Sequence, residues 1–186
     1  MLLPVWLAAG YARRAEVKGP LPEEQVMSVR YMDTIARRYV QLGYQPYRWF
    51  EADAPAAFTP LARPLSELTL GMLSSSGAYA LGQRAYHYKD DCSIREIPAQ
   101  TPDAALRFSH ITENYLVDPR RDPGCIFPLR ALRDAVARGI VGRLAERVLS
   151  CMGGVYSQRR VREEVAPAVL AAMQRQRVDA ALLIAM

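Results

Sequence analysis

The sequence predicts an α/β fold, a mostly parallel sheet flanked by helices in three layers. Three stretches carry that expectation. Residues 178–186 (VDAALLIAM) are almost uniformly apolar, as a strand buried on both faces of a parallel sheet must be. Residues 147–152 (RVLSCM) are a second short apolar run, ending at Gly153-Gly154. Between them lies a helical stretch that Ser157 caps and that runs to about residue 177. Strand, glycine turn, helix and buried strand make a βαβ unit, whose strands lie parallel in one sheet. The expected form is Rossmann-like or flavodoxin-like, incomplete at the C-terminal end.

The other elements follow in order. Residues 1–26 read as an N-terminal arm, with Gly19, Pro20 and Pro22 marking a linker over 16–22, and residues 27–186 as a single domain. Ser28 is a good N-cap for a helix carrying Val29, Met32, Ile35, Ala36, Tyr39 and Val40, which Gly43 stops. Residues 44–66 mix four prolines with Tyr44, Tyr47, Trp49 and Phe58, the pattern of an extended wrap anchored by aromatics. Residues 68–74 (LTLGMLS) read as a buried strand that runs into the loop Ser74-Ser75-Ser76-Gly77. Residues 78–91 read as irregular and polar, and 93–97 (SIREI) alternates like a strand. Pro128 opens a helix carrying Leu129, Leu132 and Val136, which Gly139 stops. Pro167 is expected to kink or split the last helix.

Composition bounds the function. A chain of 186 residues with 51% hydrophobic and 23% charged side chains has globular composition, and at this length about 70% of the unfolded chain's surface is buried on folding. The three cysteines show no CxxC spacing, which argues against a disulfide framework or a zinc ribbon and for a reducing cytoplasm. The net charge is +5, but 22 of the 24 basic residues are arginines, scattered as singles and pairs among acids. Such a pattern is a solvated face rather than a phosphate-binding one, so nucleic acid is disfavoured as a partner. The apolar run 2–9 is too short to span a membrane and lacks a preceding positive charge. No membrane partner is expected.

In open α/β sheets ligands sit beyond the carboxyl ends of the strands. That rule places Ser74-Ser75-Ser76-Gly77 and Met152-Gly153-Gly154 on one rim, beside Met186. The serine loop offers hydroxyls and backbone N–H groups, and Gly153-Gly154 ahead of a helix is a plausible anion cradle. No GxSxG, GxGxxG or P-loop spacing surrounds either, so plain tight turns are the alternative reading. Arg95 and His110 are the side chains expected to join the rim. A local ion pair of Asp90 or Asp91 with Arg95 and an internally bonded His110 are the alternatives. With His87 the only other histidine, no metal site is supported. Cys151, at the end of its strand, is a core residue by default and a candidate nucleophile by position.

Several segments together carry a resemblance. They are MSVRYMD and YVQLGYQPYRW within 27–49, FTPL and RPLSE within 58–67, DCSIREIP over 91–98 and Ser109-His110. DPGCIFPL over 122–129, GIVG over 139–142 and VDAALL over 178–183 complete the set. In order and spacing they resemble the selenoprotein B family of glycine, sarcosine, betaine and D-proline reductases, over about residues 27–186. In that family the strand matching 178–186 runs into a motif of selenocysteine or cysteine, proline, any residue and cysteine. This chain stops where the motif would begin, so a reading halted at the selenocysteine codon is expected. The resemblance implies a selenolate that attacks the carbon bearing the amine, releasing the amine and forming a selenoether. A nearby thiol and partner subunits then complete the turnover.

The function expected is therefore a component of a selenocysteine- or cysteine-dependent reductase cleaving a C–N bond of a small carboxylate-bearing amine. It is incomplete as written and needs no separate cofactor. Its expected partners are other reductase subunits or further copies of itself. Backbone N–H groups of the two rim loops, with Arg95 or His110, would hold the carboxylate, and His110 would hold a proton for the leaving amine. A non-catalytic scaffold subunit is the alternative from another class, and an arginine-mediated RNA binder a third.

Overall fold

A computed structural model describes residues 5–8, 30–46 and 59–186. The cap at Ser28, the linker over 16–22 and most of the aromatic wrap, including Tyr47, Trp49 and Phe58, lie outside them. The first half holds β1 (Val5–Ala8), α1 (Tyr31–Gln41), β2 (Thr69–Ser74), β3 (Ala78–Ala80), β4 (Arg95–Pro98) and β5 (Leu106–Phe108). The second half holds α2 (Val117–Arg121), α3 (Leu129–Ala137), β6 (Arg143–Leu144), β7 (Arg147–Ser150), α4 (Gln158–Arg160), α5 (Ala166–Arg175) and β8 (Ala180–Ile184). Contacts group Met1–Gly10 with Ala57–Met186 and gather Tyr11–Ala56 into a second unit. Val5–Ala8 pair with β8.

The main sheet has the order β1-β8-β2-β7-β4, with β6 beside the start of β2. β1, β8, β2, β6 and β7 are parallel, and only β4 runs antiparallel, along β7. The fold is α/β. β8 is not next to β7: β2 lies between them, so the crossover through α4 and α5 passes over β2. Asp179 fixes the register at the start of β8. Its carboxylate accepts from the Thr69 N–H at 2.9 Å while its own N–H donates to the Thr69 carbonyl at 3.0 Å.

Alternation sends successive side chains to opposite faces of the sheet. On one face Met72 and Val148 meet Leu129 of α3 together with Ala78, Leu106 and Phe108 of β3 and β5. On the other, Leu149, Cys151 and Ala181 pack on Val165, Val169, Ala172 and Met173 of the last helix. Met72, Val148 and Leu129 have no exposed surface, and burying each such side chain is worth about 1.5–3 kcal/mol. The result is three layers: helix, sheet, and a third of helix and small sheet.

Two expectations need correction. Residues 78–91 are not wholly irregular, since β3 pairs antiparallel with β5, both too short and too mixed in polarity to announce themselves. Pro167 does not split the last helix. Ser157 caps α4 by accepting from the Arg160 N–H at 3.3 Å, a π-helical turn spans Val161–Val165, and Pro167 falls in the first turn of α5. The wide turn absorbs the missing N–H and the ring of the proline, which would otherwise collide with the carbonyl four residues back. In the second unit, α1 presents Tyr31, Met32, Tyr39 and Val40 exposed and has no buried residue.

Candidate functional site at the carboxyl rim of the sheet

The ends of β2, β8 and β7 are tied together just beyond the sheet. Ser75 N–H donates to the Ile184 carbonyl at 3.0 Å, Cys151 N–H to Ser74 at 3.0 Å, and Gly77 N–H to Cys151 at 2.9 Å. Ser76 and Met152 then form an antiparallel bridge. Gly77 turns the chain at a φ of +65°, and a β-carbon there would overlap the Ser109 carbonyl. Ser109 N–H donates to the Gly77 carbonyl at 3.0 Å, which draws His110 to the rim.

His110 is only 6% exposed. Its Nδ1 accepts from the Thr112 N–H at 3.2 Å and lies 2.6 Å from the Thr112 hydroxyl. Its Nε2 is buried and has no hydrogen-bond partner. A β-carbon on Gly153 would stand 2.8 Å from that Nε2, 2.8 Å from the Ser75 carbonyl oxygen and 3.3 Å from the Met186 carbonyl oxygen. Met186 N–H in turn donates to the Ser75 hydroxyl at 3.0 Å. Ser75, His110, Gly153 and Met186 thus meet at one point, and only glycine at 153 permits it. Burial lowers the pKa of His110 below its ordinary value, and the nearby Glu113 carboxylate offsets part of that fall.

The remaining residues singled out in the sequence have other tasks. Ser74 and Ser76 are wholly buried. Their hydroxyls lie 2.8 Å apart, and Ser74 donates to the Ile126 carbonyl at 2.9 Å, which leaves Ser76 to donate to Ser74. Gly154 lies against Ile111, whose Cγ2 would be 2.5 Å from a β-carbon there. Arg95 is committed to the loop before it. Its guanidinium donates to the carbonyls of Arg84 at 2.8 Å and Ala85 at 3.3 Å and to the Ser93 hydroxyl at 2.7 Å, and it stacks 4.1 Å over the Tyr86 ring. Asp91, 3.9 Å from Arg95, is held below its ordinary pKa: burial opposes this, but hydrogen bonds from Ser93 and the His87 N–H prevail. Of the two side chains expected at the rim, His110 is the one with a hydrogen-bonding atom to spare.

Cys151 faces the helix layer rather than the rim. Burial pushes its thiol up to about 11, and a protonated thiol is a poor nucleophile. Burial also raises Cys92 and Cys125. Three residues were missed in the sequence: Thr112, which holds the His110 ring; Tyr86, which donates to the Ser150 carbonyl at 2.6 Å; and Ser150, whose buried hydroxyl has no partner. The signal for Ser150 was present, since alternation in RVLSCM puts it on the face of Val148 and opposite Leu149 and Cys151. Nothing in the sequence marked Tyr86, and Thr112 stood out only as a polar neighbour two residues from His110.

Three cavities open elsewhere. One of about 600 Å³ is lined by Gln83, Arg84, Asp91, Ser93 and Arg95. Another of about 500 Å³ lies between Arg133, Val136 and Arg143, and one of about 420 Å³ is edged by Arg107, Arg120 and Arg121. Among the described residues no three His, Cys, Asp or Glu side chains gather as metal ligands, and no helix is long and apolar enough to cross a membrane.

Comparison with curated proteins returns the D-proline reductase subunit gamma of Acetoanaerobium sticklandii, 26% identical over 143 residues. The chain is a distant relative of that reductase subunit. The match takes in 77% of this chain and 59% of the relative, so the chain spans about three fifths of the curated protein it matches. No protein-family model matches the chain, and no solved structure does.

Proposed function

We propose that this chain is a component of a reductase complex that reductively cleaves a C–N bond of a small carboxylate-bearing amine, an amino acid or a betaine. The reading rests on the relationship to a reductase subunit over 143 residues. It is joined by one observation, the meeting of Ser75, His110, Gly153 and Met186 at the carboxyl rim, where α/β sheets hold their ligands. The partners proposed are other subunits of that complex, in the cytoplasm. The seat proposed comprises the N–H groups and hydroxyl of the serine loop, the Met152-Gly153-Gly154 turn and His110. A selenolate or thiolate attached to this rim would attack the amine-bearing carbon, the C–N bond would break, and the amine would leave with a proton. One thiol of a dithiol then attacks the selenium or sulfur, the bond from that atom to carbon breaks and the carbon leaves with a proton. The second thiol displaces the selenolate or thiolate, so the dithiol has supplied the two electrons and ends as a disulfide.

The native complex, isolated with its partner subunits, is incubated with a dithiol and with glycine, sarcosine, betaine or D-proline in turn, and the released amine or ring-opened product is measured. Dithiol-dependent cleavage of at least one is expected. An intact complex that cleaves none overturns the proposal.

A second reading, a scaffold subunit that positions partners without reacting, is favoured by the three thiols, all raised by burial. It expects slow alkylation at pH 8, with exposed Cys125 fastest and Cys151 slowest, read by mass spectrometry after an iodoacetamide pulse. Rapid modification of Cys151 would remove that support.

A further inference from the structure

The bonding of the His110 ring decides what that histidine can do at the rim. A backbone N–H can only donate, so the Thr112 N–H at 3.2 Å makes Nδ1 an acceptor. The Thr112 hydroxyl, 2.6 Å from the same nitrogen, then donates to it as well. A neutral imidazole whose Nδ1 accepts carries its proton on Nε2. Nε2 is the atom buried without a partner, and it lies 2.8 Å from where a β-carbon on Gly153 would stand. Buried donors are seldom left unpaired in folded proteins, so an unsatisfied one at a strand-end rim points to an acceptor that arrives with a ligand. The lowered basicity of the ring agrees with this: burial disfavours the imidazolium, and both bonds at Nδ1 favour the neutral form.

We propose that His110 is a neutral Nε2–H donor to a ligand oxygen at the rim beside Gly153, and that Thr112 is the positioning residue which fixes this tautomer. The proposal deepens the rim reading above and rests on it only for the place of the ligand. It replaces a role as proton carrier. Nε2 already bears its proton and Nδ1 is occupied, so the ring can polarise an oxygen but is not set to take a proton from a leaving group. The same logic, a neutral imidazole serving as electrophile, is known in other enzymes. Nε2 is sealed from solvent, so an oxygen reaches it only when the residues over it move.

The test reads the ring itself. In ¹⁵N-labelled protein at pH 7, long-range ¹H–¹⁵N correlation is expected to show His110 neutral, protonated on Nε2. A ring protonated on Nδ1, or on both nitrogens, overturns the proposal. Thr112→Ala removes the hydroxyl and leaves the longer backbone bond, so a measurable Nδ1–H population is expected, with Thr112→Ser restoring the original spectrum. A Thr112→Ala spectrum identical to the parent overturns the role of Thr112. Titration with formate, the smallest carboxylate, is expected to move the Nε2 resonance and the Gly153 amide together. In His110→Phe, which keeps an aromatic ring but no donor, the Gly153 amide is expected to stay put. A Gly153 amide that responds equally in both proteins overturns the seat, as does an unmoved Nε2 resonance. None of these measurements uses turnover, so they can fail while the reductase reading stands, and the amine-release assay can fail while they succeed.

Discussion

A methyl group at position 153 would meet three atoms at once, the His110 Nε2, the Ser75 carbonyl and the Met186 carbonyl, the first two at 2.8 Å. Two of the three are backbone and cannot swing away. Gly153→Ala is therefore expected to cost about 1–3 kcal/mol, the range for overpacking a closed site, read as a shift in the urea midpoint. It should also disturb the His110 ring signals before those of the distant core. His110 sets a pH dependence of its own. Its folded pKa lies below its unfolded value of about 6.5, so the unfolded chain takes up a proton first. Stability from this group is complete above that value and falls as pH drops from it toward the folded pKa. Denaturation midpoints should fall in that interval for the parent protein, and less steeply for His110→Gln. A parent slope no steeper than the variant's would contradict the buried neutral ring. At this scale the sequence was readable only in part. Ser75, His110, Gly153 and Met186 were named from strand ends and turns. The capture of the Arg95 guanidinium by Arg84 and Ala85 was not readable, because it depends on a loop with no repeating pattern.

Among the elements, the last helix carries the local conflict that can be relieved most simply. Arg177 follows α5 in the left-handed region, at a φ of +53°, where the Val178 N–H closes the helix on the Met173 carbonyl at 3.1 Å. This is the place where helices usually set glycine. Arg177 makes an exposed left-handed cap at a cost of about 1–2 kcal/mol to its β-carbon. Arg177→Gly is expected to stabilise the protein, by less than that cost because glycine also gains freedom in the unfolded chain. A thermal melt of the variant checks the sign, and a lower midpoint would show that the arginine side chain does more than cap. The elements visible beforehand, β2, β7, β8 and α3, were those whose apolar runs or stripes are long enough to reveal a period. β3 and β5 have three residues each, too few for any alternation to show. Nor could the antiparallel direction of β4 be read, since a strand's pattern records which face is buried and not which way its neighbour runs.

For the molecule as a whole, the order of strands matters more than their number. β8 sits inside the sheet, hydrogen-bonded to β2 on one side and to Val5–Ala8 on the other. Removing residues 1–10 would uncover a parallel edge beside the most apolar strand, and unpaired edges recruit other chains. The shortened protein is expected to self-associate more strongly with rising concentration than the parent in sedimentation velocity. Equal behaviour of the two would mean that β1 does not guard that edge. The same arrangement orders events during synthesis. Thr69 meets Asp179 across 110 positions of chain, and β1 must wait for a partner 175 positions further along, Ala180 opposite Val5. Until β8 emerges, the flank of β2 opposite β7 has no partner strand. The middle of the sheet can close only when β8 has cleared the exit tunnel. Loop closure over such a span is slow, so the centre of the sheet stays open until β8 is made, the interval in which chaperones have the most to protect.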